Sequence, residues 1–211
     1  MRYYNADGGE AEMCGNGARC FGNFAAALLH HDKTAPLPFE TMAGVVTATF
    51  EKDGNVTVNL TNPHSMQLFV LNADPTVGAD VHFLNTGVPH AVAFLDKLED
   101  LNISRLGAYL RYHEAFSPKG TNANFARILS PGHIAIRTYE RGVEDETLAC
   151  GTGMTACALL HAVLADAPSP IQVDVAGGDT LKVGFQRTGD RFTDVTLTGP
   201  ADLVFTGDIQ I

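Results

Sequence analysis

The stretch CGTGMTACALLHAVL, Cys150–Leu164, decides the fold. A cysteine and two glycines lead into a run with apolar residues at Ala156, Cys157, Leu159, Leu160, Val163 and Leu164, which predicts an apolar helix. The arrangement occurs a second time as CGNGARCFGNFAAALLHH, Cys14–His31. There Phe21, Phe24, Ala25, Leu28 and Leu29 follow the spacing of one apolar helical face. Cys-Gly-x-Gly therefore opens a helix twice, each time behind an acidic stretch, Gly9–Glu12 and Glu144–Thr147. Two copies of one loop-helix unit predict two pseudo-symmetric halves, each presenting one cysteine at a helix N-terminus.

Working outward, the segments between these helices alternate with period two. Val45, Thr47 and Thr49, and then Val56, Val58 and Leu60, sit two apart with the turn signal Lys52–Asn55 between them, a hairpin signature. Strands are expected at 67–71, 80–84, 91–95, 124–129, 133–139, 171–175, 180–185, 192–197 and 203–211, and a short helix at 103–113. Strands outnumber helices and short loops join most of them. The class is α+β with mostly antiparallel sheets. Pro63 marks a boundary between a first half, 1–62 joined by a C-terminal strand at 199–211, and a second half, 63–198.

Composition narrows the function classes. With 45% hydrophobic and 18% charged residues, the 211-residue chain supports a real core. Net charge is −10, from 14 Lys+Arg against 24 Asp+Glu, so no basic stripe exists for nucleic acid. No apolar run is long enough for a membrane-spanning helix. The opening residues, 1–7, carry no apolar signal segment, which sets a cytoplasmic expectation. The four cysteines, Cys14, Cys20, Cys150 and Cys157, form no Cys-x-x-Cys pair and no zinc spacing. Cys20 and Cys157 fall inside the helical patterns, where free cysteines usually serve as core.

Cys14 and Cys150 call for different chemistry. A helix N-terminus carries partial positive charge and unpaired N–H groups, which lower a thiol's pKa and hold an anion such as a carboxylate. Inverting a carbon stereocentre needs proton removal on one face and return on the other. A thiolate and a thiol on opposed faces do this without a cofactor. The N–H groups would stabilise the charge developing on the substrate's α-carboxylate.

The two motifs resemble those of a known family. The run 5–20, NADGGEAEMCGNGARC, is similar to the first active-site motif of diaminopimelate epimerases, and 139–153, YERGVEDETLACGTG, to the second. Gly87–His90, Gly120–Phe125 and Leu197–Ala201 add further matches. The resemblance implies two halves, each a mostly antiparallel sheet around a central helix, with the first half incomplete here, because the family has opening strands that nothing in this chain matches. It implies a cofactor-independent, cytoplasmic, homodimeric epimerase interconverting LL- and meso-diaminopimelate. Residue by residue, it implies Cys14 and Cys150 as the acid/base pair. Gly15, Asn16, Gly151 and Thr152 would hold the α-carboxylate. Asn5, Asn122, Glu140 and Arg141 would contact substrate, Arg141 pairing with the distal carboxylate. His90 and Glu140 would support the thiols, and Phe205 falls at a dimer contact. Val88 stands where many family members have a substrate-binding Asn. Two alternatives are a proline racemase or hydroxyproline epimerase-like enzyme, which needs no Arg141, and an inactive fragment.

Overall fold

A computed structural model describes residues 1–4, 8–11 and 13–208. It divides into two compact units, 1–58 with 199–211, and 59–198.

In the first unit, β1 (Tyr3–Tyr4) and β2 (Glu10–Ala11) form a short antiparallel ribbon ahead of α1 (Gly15–Leu28). An antiparallel meander follows, β3 (Leu37–Thr41), β4 (Gly44–Phe50) and β5 (Val56–Asn59). The hairpin forms, and Val56 and Val58 are buried as read, but in β4 the inward set is Val46 and Ala48, while Val45 is 61% exposed: the Ala48↔Val58 register turns the other alternate set inward. Helix α1 lies against β3 and β4. Its buried stripe is Gly15, Ala18, Arg19, Gly22 and Ala26. The apolar face read from the sequence is mostly outside: Phe24 is 59% exposed and Leu28 and Leu29 are each 66% exposed. The physical reason is close approach. A Cβ on Gly22 would sit 2.6 Å from the Ala48 Cβ, so the helix comes this near the sheet only because that position has no side chain. The expected strand at 203–211 is not formed over its described part, 203–208. Residues 201–208 carry no regular structure, and 209–211 lie outside the described residues. The preceding strand ends at Gly199, and Pro200 cannot donate to a ladder.

In the second unit the chain runs β6 (His64–Asp74), β7 (Ala79–Asn85), β8 (Pro89–Phe94), α2 (Ile103–Arg111), β9 (Asn122–Ser130), β10 (His133–Glu140) and β11 (Asp145–Thr147). It continues through α3 (Gly151–Ala165), β12 (Ile171–Asp174), β13 (Thr180–Thr188) and β14 (Arg191–Gly199). The sheet order is β14-β13-β12-β10-β9-β8-β7-β6, with β11 paired to the far end of β10. Pairing is antiparallel apart from β8 with β9 and β10 with β12. Helix α3 has no polar side to leave in water. Its residues from Gly153 to Ala162 are all buried, and it packs on β7, β8, β9, β10, β12 and β13. A helix apolar on every face requires this covering.

The sheet's period-two alternation sorts the site residues. Ala91, Ala93, Ala123, Phe125 and Tyr139 point into a core shared with Ile103, Leu106 and Leu110 of α2. Successive side chains on a strand point to opposite faces. His90, Asn122, Asn124, Thr138 and Glu140 are therefore on the other face, the one beside α3. The register His90↔Asn122 and Thr138↔Asn124 sets them side by side.

Candidate active site

Both cysteines are helix N-caps, as the Cys-Gly-x-Gly pattern predicts. Cys14 has extended backbone angles (φ −139°, ψ 112°), and its sulfur accepts from the Gly17 N–H at 3.4 Å. Cys150 has φ −113°, ψ 109°, and caps α3. Gly15 and Gly151 are the first helical residues behind them. Asn16 Oδ1 accepts from Arg19 Nη1 at 3.0 Å, and Arg19 also reaches the Pro200 carbonyl, a structural use of this buried cation.

The two thiols differ. Cys14 is half-buried and Cys150 is buried. The expectation of a lowered pKa fails at Cys150. Burial pushes its thiol up to about 12, the Glu140 carboxylate adds to the rise, and the Thr152 hydroxyl, 3.5 Å from Sγ, pulls the other way. Loss of water around a buried anion outweighs the helix end. Near neutral pH Cys150 is therefore held as the thiol. Burial likewise raises Cys157, which sits in the α3 core as expected, whereas Cys20, also read as core, is exposed because it lies off the buried stripe of α1.

The polar residues of the second unit tie neighbouring strands and turns together. Asn122 donates from Nδ2 to the Pro89 carbonyl at 2.9 Å and accepts the Arg141 N–H on Oδ1 at 2.8 Å. Arg141 donates from Nη1 to the Lys119 carbonyl at 3.3 Å. Glu140 accepts the Thr147 hydroxyl at 2.7 Å. The turn carrying Arg141 is tied down by Glu144, which accepts from Gly142 N–H and from Arg111, both at 3.0 Å, and from the Tyr112 hydroxyl at 3.1 Å. His90 is buried, its ring 3.1 Å from Asn124 Nδ2.

Other assignments stand differently. Asn5 lies outside the described residues. Phe205 is 81% exposed, next to exposed Leu203 and Val204. Val88 accepts the Thr86 N–H on its carbonyl, while Asn85 is occupied in capping that turn through Gly87 N–H. Three residues escaped the sequence reading. Thr86 donates its hydroxyl to the Thr152 carbonyl at 3.0 Å, bracing the first turn of α3. Asn124 and Thr138 join His90 in a buried network. The i, i+2 spacing from Asn122 to Asn124 was the available signal for Asn124. Thr86 had none.

This geometry fits what the comparisons find. The family model for diaminopimelate epimerase matches residues 1–66 and 82–204. Diaminopimelate epimerases of a Hydrogenobaculum species and of Aquifex aeolicus are each 42% identical to the chain. The matches cover 97% and 99% of this chain, and 73% of each relative. The chain belongs to the diaminopimelate epimerase family. Membership makes this diaminopimelate epimerase relative an isomerase by class. Among solved structures, a PhzF-family phenazine biosynthesis protein of Bacillus anthracis is 16% identical with a TM-score of 0.69, covering 95% of this chain and 76% of its own. A probable proline racemase of Agrobacterium radiobacter is 19% identical with a TM-score of 0.63, covering 93% and 67%. At such identities these neighbours bear on the fold alone, which this chain shares with them.

Proposed function

We propose that the chain interconverts LL- and meso-diaminopimelate with Cys14 and Cys150 as paired acid and base. The observation that carries the reading is the repeated cap: each Cys-Gly-x-Gly sets its cysteine at the N-terminus of a helix in a chain of this family. One sulfur, as thiolate, takes the α-proton, and the other, as thiol, delivers a proton to the opposite face of the same carbon. The N–H groups behind Gly15, Asn16, Gly151 and Thr152 bind the α-carboxylate and favour the charge that builds on it. Arg141 pairs with the distal carboxylate, and Asn5, Asn122 and Glu140 complete substrate binding. The chain works in the cytoplasm as a homodimer, in which a second copy covers the apolar segment at Phe205.

A proline racemase-like substrate is the competing reading, raised by the fold of the solved neighbours. Arg141 separates the two, since proline has no distal carboxylate. Epimerisation followed by chiral chromatography should find turnover of LL-diaminopimelate and none of L-proline or trans-4-hydroxyproline. Arg141→Ala should lower kcat/KM for diaminopimelate by about 10- to 100-fold, the loss of a charged hydrogen-bonded pair. Turnover of the proline substrates, unaffected by Arg141→Ala, would move the assignment to the racemase class.

A further inference from the structure

A buried polar chain runs under α3. The Thr138 hydroxyl donates to Asn124 Oδ1 at 3.0 Å. Asn124 Nδ2 lies 3.0 Å from the Ala91 carbonyl and 3.1 Å from His90 Nδ1. All three side chains are buried. A carbonyl oxygen only accepts, so the Asn124 atom facing Ala91 is the amide NH2. That same NH2 faces Nδ1, and it cannot accept. Nδ1 is therefore the bare ring nitrogen, and the proton of the neutral imidazole sits on Nε2.

Nε2 is itself buried and has no hydrogen-bond partner among the described residues. An unmet buried donor costs about 1–3 kcal/mol, and few are left in native proteins without a purpose. The network also touches the Cys150 loop. A Cβ on Gly153 would overlap Asn124 Oδ1, and the same point is 3.3 Å from Cys150 Sγ. Burial and the nearby Arg141 charge keep the ring neutral, with its pKa pushed down to about 3.

We infer that Asn124 is a positioning residue: by donating to Nδ1 it holds His90 as the Nε2–H tautomer, a neutral donor kept for the negative charge that the proposed reaction develops. The proton stays on the ring throughout, so the device stabilises charge without exchanging a proton with substrate. The identity of that charge rests on the proposed two-thiol reaction. The tautomer does not.

The test uses the full chain labelled with 15N-histidine, the His90 signals being assigned by their loss in His90→Gln. Long-range 1H–15N spectra should show a protonated Nε2 and a bare Nδ1. Asn124→Asp replaces the donor by an acceptor and should move the proton to Nδ1. Asn124→Ala removes the donor without adding charge, should leave both tautomers populated, and decides the matter if the Asp variant fails to fold. In both, α-proton exchange from diaminopimelate should fall about tenfold or more, the scale for groups that orient a functional histidine. A wild-type ring protonated at Nδ1 overturns the inference. So does a folded variant that keeps the Nε2–H pattern, whatever its rate, or one that changes tautomer at the wild-type rate. Wild-type protein with no exchange at all would sink the proposed reaction instead, and the spectra would still decide the tautomer.

Discussion

At the scale of single residues, burial governs the chemistry more than the helix ends do. Cys150 and His90 show it from opposite directions, each held in its neutral form where no water can solvate the charge. His90 carries a consequence for stability. Its folded pKa, about 3, lies below its ordinary value of 6.5. Between those values the unfolded chain binds a proton that the native chain does not, so stability falls as pH drops below 6.5. The slope is about 1.4 kcal/mol per pH unit for one such group. His90→Gln lacks this component. Urea unfolding of both proteins from pH 6 to pH 4 should show the wild type losing stability faster by about that slope, and parallel curves would contradict a buried neutral His90.

At the scale of elements, the two helices behind the cysteines share a motif and differ in their surroundings. Helix α3 is apolar all round and covered by strands, whereas α1 buries small residues and Arg19 and leaves Phe24, Leu28 and Leu29 in solvent. Gly22→Ala in α1 should therefore destabilise by about 1–3 kcal/mol, because the added methyl meets Ala48. Phe24→Ser, despite removing a large apolar group, should stay within about 0.5 kcal/mol. Denaturant titration of the two variants reads this directly, and the reverse order of costs would place the buried stripe wrongly. The contrast also shows what the sequence could carry. Periodicity located both helices and most strands, because 3.6- and 2-residue repeats are local. It did not tell which stripe of α1 is buried, because that depends on how closely β4 approaches. The 203–211 alternation predicted a strand in the same local way, but Pro200 follows directly on β14 and residues 201–208 form no strand. Within the site, the Cys-Gly-x-Gly caps were legible from spacing alone. The His90–Asn124–Thr138 network joins three strands and is visible only once their register is known.

At the scale of the whole molecule, two units each present one cysteine cap, and the chain spans 73% of the length of the two 42%-identical relatives. The repeat makes the account a claim about a pair. On the proposed reaction neither thiol is sufficient, because epimerisation needs a proton acceptor on one face of the carbon and a donor on the other. The surrounding polar residues are fixed in place: Thr86 braces the first turn of α3, Asn124 bonds the His90 ring, and Glu144 ties down the turn that carries Arg141. The direct measurement is exchange of the diaminopimelate α-proton in deuterated water, followed by proton NMR, for wild type, Cys14→Ala and Cys150→Ala. The account predicts exchange by the wild type and its loss in either single variant. Full exchange in either variant would contradict the two-thiol mechanism.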